Sequence, residues 1–160
     1  MGTLINCTDK RLANCRFFDC RSALMDAQCG SNQYAKGHIP GAIYADLNHE
    51  LCRKIQPDVT GRHPLPAKAA FLQQVRQWGI NNDHLIVAYD DDNGALAVRL
   101  WWMMRWLGHD DVFVLDGGFK KWTQEDLPIT VGTTPAATSD FNLKPALTKV
   151  VSATDLLPWD

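Results

Sequence analysis

Two hydrophobic patterns alternate along this chain. Short continuous apolar runs are typical of strands that are covered on both faces of a parallel sheet. Between them lie longer segments whose apolar residues recur every three or four positions, which is typical of amphipathic helices. The runs predict strands at 16–19, 43–47, 85–89 and 112–115, and the periodic segments predict helices at 67–78, at 95–107 and around Phe119 and Trp122.

The regular alternation of strand and helix predicts an α/β fold, in which a parallel sheet carries helices on both faces. Ligand-binding and catalytic residues of such sheets collect at the carboxyl ends of the strands. Asp19, Asp90 and Asp116 stand at or directly after three of the predicted strand ends. We therefore look for chemistry at this edge of the sheet.

The composition of the chain changes after Pro128. Residues 129–140 are rich in Thr, Ala and Gly, which is typical of a linker, and 152–157 has the pattern of a capped helix start. A chain of 160 residues has the size of one compact domain. We expect one domain at 1–130, a linker at 131–151 and the truncated start of a second domain at 152–160.

Composition and charge argue against several classes of function. With 16 basic and 18 acidic residues, the net charge of −2 offers no basic footprint for nucleic acid. No apolar stretch approaches the roughly 20 residues that span a bilayer, and the first residues lack the apolar run of a secretory signal. The five cysteines are odd in number and include no C-x-x-C pair. We expect free thiols, no metal or other cofactor, and a cytoplasmic location.

The loop after the strand at 85–89 contains three consecutive carboxylates and permits two interpretations. In the first, Asp90 and Asn93 cap the following helix, and Arg99 turns back to neutralise the aspartates. In the second, Asp90 and Asp92 have the D-x-D spacing of magnesium-dependent, haloacid-dehalogenase-type phosphatases, with Asp90 as the nucleophile. Gly94 stands where that motif usually continues with Thr, so the first interpretation is favoured.

Two further residues are candidates for chemistry at the same edge. Cys20 is the only cysteine near a predicted strand end, but the neighbouring carboxylate of Asp19 disfavours a thiolate. His38 lies in the turn that contains Pro40 and Gly41. A carboxylate such as Asp19 would orient its imidazole and raise its basicity, forming an acid–base pair. Alternatively, His38 only binds the backbone of its own turn.

Three segments of the chain resemble the signatures of rhodanese domains. They are Asp19-Cys20-Arg21 with Tyr34-Ala35-Lys36-Gly37-His38-Ile39-Pro40-Gly41-Ala42, the stretch from Tyr89 to Met103, and the stretch from Gly108 to Trp122. The sequence Arg99-Leu100-Trp101-Trp102-Met103 is similar to the N-terminal half of tandem thiosulfate and 3-mercaptopyruvate sulfurtransferases. The resemblance implies a three-layer sandwich around a parallel sheet of about five strands.

The resemblance also implies an activity for the parent protein. Members of this family move sulfane sulfur from a small anionic donor to a thiophilic acceptor, such as cyanide or a thiol, through a cysteine persulfide. That cysteine belongs to the second domain, and the equivalent position here is Asp90. In mercaptopyruvate-type members an Asp and the His of the signature turn join a Ser of the second domain in a proton relay. The matching residues are Asp19 and His38.

The partner that this interpretation requires is a C-terminal rhodanese domain of the same polypeptide, and the chain alone is expected to be inactive. An alternative from a different class of function is a free-standing, inactive rhodanese module that binds a protein partner. The sequence leaves open which sulfur donor and which acceptor the parent protein uses.

Overall fold

The computed structural model describes residues 2–135, 137–152 and 155. The described strands form one parallel sheet in the order β1-β5-β4-β2-β3. The strands are β1 (Leu4–Ile5), β2 (Cys15–Asp19), β3 (Ile43–Tyr44), β4 (Leu85–Tyr89) and β5 (Val112–Leu115), and the helices are α1 (Cys29–Lys36), α2 (Lys68–Gln77), α3 (Ala97–Trp106) and α4 (Gly118–Gln124). The predicted α/β fold with a five-stranded parallel sheet is confirmed.

The sheet separates two hydrophobic clusters because successive side chains of a strand point to opposite faces. Phe18 and Ile86 pack with residues of α2 and α3 on one face. Phe17 and Val87 pack on the other face, where the cluster includes Tyr34 of α1 and Trp122 of α4. The helices thus cover the sheet in pairs, which gives the three layers.

Several predicted boundaries were wrong. The strand predicted at 43–47 covers only Ile43–Tyr44, and the helix predicted from residue 95 begins at Ala97. The hydrophobic pattern also missed the edge strand Leu4–Ile5 and the helix Cys29–Lys36. The missed strand has two residues, and the missed helix buries only Gly30 and Tyr34, so neither carries an extended apolar pattern.

Residues 139–148, here called the return segment, have no helix or strand but lie against the domain. The Phe141 side chain is fully buried in the cluster beside α2 and α3. The backbone N–H groups of Lys144 and Leu147 donate to the carbonyl oxygens of Leu107 and Arg105, at 3.1 and 2.9 Å. This part of the chain is therefore attached to the end of α3.

The described part of the chain ends close to the predicted start of a second domain. Of the predicted second-domain start at 152–160, only Ser152 and Asp155 are described, so that prediction lies outside the described residues. Within the described part of the chain, no helix is long and apolar enough to cross a membrane.

Candidate functional site

Asp19 lies at the carboxyl end of β2 and is fully buried. Arg21 encloses its carboxylate: the backbone N–H of Arg21 donates to Oδ1 at 3.0 Å, Nε donates to the same oxygen at 3.0 Å, and Nη2 donates to Oδ2 at 2.6 Å. The guanidinium is itself buried and lies 4.0 Å from the ring centroid of Phe119. Asp19 is thus a neutralised carboxylate in the protein interior.

Two side chains connect Asp19 to the turn that carries His38. The Tyr89 hydroxyl donates to Asp19 Oδ2 at 3.1 Å and accepts from the backbone N–H of Ile39 at 3.2 Å. Arg21 Nη2 also donates to the Gly37 carbonyl oxygen at 2.7 Å. The strand end and the turn are therefore held together by two bridges, one phenolic and one cationic.

His38 is oriented by Tyr34. Its Nδ1 lies 2.8 Å from the Tyr34 carbonyl oxygen, and the two rings stack at 3.8 Å with an angle of 6° between their planes. Since a carbonyl oxygen only accepts, Nδ1 carries the proton, and Nε2 is the unprotonated nitrogen of the neutral ring. No hydrogen bond to Nε2 occurs among the described residues. The His38 side chain is itself buried, with 1% of its surface exposed.

Of the two interpretations of His38, the hydrogen bonds of the described residues favour the one in which the imidazole binds backbone and not the Asp19 carboxylate. No hydrogen bond or ion pair joins the two side chains there. The Asp19 carboxylate accepts hydrogen bonds from Arg21 and Tyr89 instead. The backbone carbonyl oxygen of Tyr34 orients the His38 imidazole, a role that the sequence analysis gave to Asp19. That Asp19 and His38 take part in a proton relay stays a prediction.

Asp90, at the end of β4, binds the loop that follows it. Its Oδ1 accepts from the Gly94 N–H at 3.0 Å, and its Oδ2 accepts from the Leu96 and Ala97 N–H groups at 2.9 and 3.0 Å. Asn93 Oδ1 accepts from the Ala95 N–H at 2.9 Å. The amides at the start of α3, which would otherwise attract an anion, are occupied by the chain's own side chains.

The predicted role of Arg99 is wrong. Its Nε and Nη2 donate to the Leu51 carbonyl oxygen at 3.1 and 2.9 Å, so it fastens the loop after β3 and does not neutralise the aspartates. Arg99 lies in the first turn of α3, and its long side chain reaches a neighbouring loop whose position the sequence did not predict.

The remaining carboxylates keep this edge of the sheet negative. Partial burial raises the pKa of Asp91, and the charges of Asp19, Asp90 and Asp92 raise it further, although Arg21 opposes the shift. No cluster of three or more His, Cys, Asp or Glu side chains suited to a metal ion occurs among the described residues. With its oxygens held by amides, Asp90 is also poorly disposed to act as the nucleophile of a phosphatase.

All five cysteines are free thiols. Burial raises the pKa of Cys20 far above its usual range, and the charges of Asp19 and Asp90 add to the shift. Burial also raises the pKa of Cys15 to about 12 and, against the opposing charge of Arg99, that of Cys52. These three thiols are protonated at neutral pH and are poor nucleophiles.

Arg21 and Tyr89 are the residues of this site whose roles sequence reasoning missed. The signal for Arg21 was the Asp-x-Arg spacing directly after a strand, which lets a guanidinium fold back on a carboxylate two residues earlier. The signal for Tyr89 was weaker, since a tyrosine at a buried strand end needs a partner for its hydroxyl but the sequence does not say which.

The sequence pattern of the rhodanese-like domain matches residues 6–125. The chain belongs to the rhodanese family. A Pseudomonas aeruginosa protein named "Probable 3-mercaptopyruvate sulfurtransferase" is 41% identical over 139 residues, which cover 86% of this chain and 49% of that protein. Bovine thiosulfate sulfurtransferase is 44% identical over 101 residues, covering 61% of this chain and 32% of that protein.

Solved structures agree with this assignment. The crystal structure of SseA from Escherichia coli, a 3-mercaptopyruvate sulfotransferase with the rhodanese fold, superposes with a TM-score of 0.81 at 30% identity, covering 92% of this chain and 56% of that one. The 3-mercaptopyruvate sulfurtransferase from Leishmania major gives a TM-score of 0.72 at 34% identity, covering 92% and 41%. The rhodanese domain described here thus spans about half the length of its relatives or less.

Proposed function

We propose that this domain is the N-terminal, non-catalytic half of a sulfurtransferase that takes sulfane sulfur from thiosulfate or 3-mercaptopyruvate. The catalytic cysteine would then belong to a second rhodanese domain of the same polypeptide. The names of the relatives and the share of their length that this chain covers support the proposal. We assign the rhodanese domain to residues 1–130 and the linker to 131–151, in a protein of the cytoplasm.

The observation that carries the proposal is that the Asp90 carboxylate binds the backbone N–H groups of the loop that follows it. A persulfide is an anion, so the loop that holds it needs free N–H groups and little negative charge. Three N–H groups of this loop are already bound to the Asp90 carboxylate, and Asp91 and Asp92 follow it directly. Such a loop repels both an anionic sulfur and its anionic donor.

The supporting chemistry of this half would come from His38. In the proposed relay its free Nε2 accepts a proton, and the arrangement of Asp19, Arg21 and Tyr89 fixes the turn in which it stands. The third member of the relay would be a serine of the second domain. Asp19 then acts through its neighbours as a positioning residue.

A sulfurtransferase assay of the purified chain tests the proposal. We expect no thiocyanate from thiosulfate and cyanide, and no sulfur transfer from 3-mercaptopyruvate to a thiol, above the rate in buffer. Cys20→Ser and Cys29→Ser serve as a matched pair, because the first thiol is buried and the second is half-buried. Turnover by the chain that either substitution abolishes would contradict the proposal.

A further inference from the structure

A second concave surface lies in the loop after β3, and none of Asp90, Asp91 and Asp92 lines it. Residues 48–49, 52–55 and 62–63 line a cavity of about 580 Å³ there. Its wall includes Arg53, Lys54 and Arg62 together with the imidazoles of His49 and His63. None of the lining residues is acidic. The cavity therefore concentrates positive charge in a chain whose net charge is −2.

The positive charges of the cavity are not neutralised internally. Within the described ranges, Arg53, Lys54 and Arg62 form no ion pair. Arg62 Nη2 donates to the Leu24 carbonyl oxygen at 3.2 Å, an uncharged acceptor. Arg99, just behind this loop, likewise donates to a carbonyl oxygen. Cations without carboxylate partners that converge on a concave surface attract an anion from solution.

Two of the three carboxylates of the same loop are already engaged, and the third, Asp58, does not line the cavity. Asp46 Oδ2 lies 2.8 Å from His49 Nδ1, and Glu50 Oε2 accepts from Trp78 Nε1 at 3.0 Å. These contacts make one imidazole of the wall an internal partner of Asp46. They leave the guanidinium and ammonium groups for a ligand.

His63 adds an unmet hydrogen-bonding group to the wall. Its Nε2 is enclosed and has no hydrogen-bond partner among the described residues. Burial lowers the pKa of His63, and the charges of Arg99 and Arg62 lower it further, which records the positive potential at this point. A bound anion in the cavity would oppose that positive potential at the ring.

We propose that this cavity binds a small organic molecule through a dianionic phosphate monoester head group. Guanidinium groups match the oxygens of such head groups in pairs, and the lysine adds a mobile point charge. Small-molecule sites have volumes of roughly 300–1,000 Å³, so the cavity has room for an organic body beside the head group. The site requires neither a cysteine nor a second domain. Its experimental test is therefore independent of the test of the sulfurtransferase function.

Calorimetry of the full chain at low ionic strength tests the site with two probes, glycerol 3-phosphate and inorganic phosphate. We expect saturable binding that weakens as salt is added, because the contacts are charged. Tighter binding of the monoester supports an organic ligand, and equal binding supports the free ion as the natural occupant. Absence of saturable binding by both probes would overturn the proposal.

Substitutions locate the binding. A charge-assisted contact is lost in Arg62→Gln and in Arg53→Gln, so each is expected to weaken binding about tenfold. Arg16→Gln is the matched control: it removes the same charge from an exposed position near the amino end of β2, at the opposite edge of the sheet, and should leave the affinity unchanged. Equal weakening in all three variants would show only non-specific attraction and would refute the site.

The imidazole of His63 provides a readout besides affinity. Its titration midpoint, followed by NMR, should move upward when glycerol 3-phosphate is added, because a nearby anion favours the charged ring. The midpoint of His84, whose pKa burial and Arg16 lower, should not move. A shift of His84 without one of His63 would place the ligand elsewhere.

Discussion

The chain contains the same ion pair twice, once on its surface and once in its interior. In both Asp9–Arg11 and Asp19–Arg21 the backbone N–H and Nε of the arginine donate to Oδ1 of the aspartate, and Nη2 donates to Oδ2. The side chains of the first pair are 54% and 26% exposed for Arg11 and Asp9, and those of the second are 4% and 0% exposed for Arg21 and Asp19.

The difference shows what local spacing determines and what it does not. An aspartate two residues before an arginine forms the same ring of hydrogen bonds in both settings. On the surface, water competes for both ions, and the pair contributes little. In the interior, each ion depends on the other, because neither is hydrated. The same motif is therefore a local cap at Asp9 and a structural requirement at Asp19.

Removal of the buried carboxylate should have the largest effect. We expect Asp19→Ala to lower the free energy of unfolding by about 3–5 kcal/mol, because it leaves the Arg21 guanidinium charged and buried without its partner. Urea denaturation measures the change. The double variant Asp19→Ala/Arg21→Met should recover part of the loss, since it removes the stranded charge. A double variant less stable than the single one would contradict this account.

Asp90 separates the effect of burial from the effect of ion pairing. It is as buried as Arg21, but backbone amides satisfy its carboxylate, and no cation among the described residues pairs with it. Asp90→Ala leaves three N–H groups at the start of α3 unpaired, and we expect a loss of about 2 kcal/mol. Asp92→Ala, two residues away and exposed, is the control and should unfold like wild type in urea. Equal losses for both would show that the caps contribute nothing.

The surface pair Asp9–Arg11 should be detectable in the titration of the Asp9 carboxyl group. Hydrogen bonds from the side chain and backbone of Arg11 lower the pKa of Asp9 from 3.8 to about 2. Because the folded-state pKa is depressed, the stabilising contribution is present above pH 3.8 and is lost as the pH falls through 2. NMR of the side-chain carboxyl group should give the low midpoint, and Arg11→Gln should move it upward. Asp9→Ala should lower the melting temperature at neutral pH by less than Asp19→Ala does, because water solvates the Arg11 charge that remains, and an ordinary Asp9 midpoint would contradict the pairing.

The sequence was sufficient for the centre of the fold and insufficient for its edges. Leu85–Tyr89 and Val112–Leu115 were predicted with the observed bounds because they are buried on both faces and read as unbroken apolar runs. The edge strand Leu4–Ile5 gave no such signal, because Leu4 is exposed and only Ile5 is buried. The order of the strands in the sheet also depends on contacts between distant segments.

At the candidate site the sequence identified the right edge of the sheet and misplaced the contacts. Asp19, His38 and Asp90 do lie in the loops and turns around the carboxyl ends of the strands. The guanidinium of Arg21 was not assigned to Asp19, and that of Arg99 was assigned to the wrong acceptor. Long flexible side chains reach partners that tertiary packing selects, and a hydrophobic pattern contains no information about that choice.

The return segment shortens the part of the predicted linker that is free to move relative to this domain. A flexible linker of 21 residues, the length of 131–151, would have a root-mean-square end-to-end distance of roughly 25 Å. The bonds from Lys144 and Leu147 to the end of α3, and the bond from the Thr148 hydroxyl to the Trp102 carbonyl oxygen at 3.1 Å, fix the point of departure. Any module joined beyond Thr148 would start from one place on the surface, and its local concentration there would be correspondingly high.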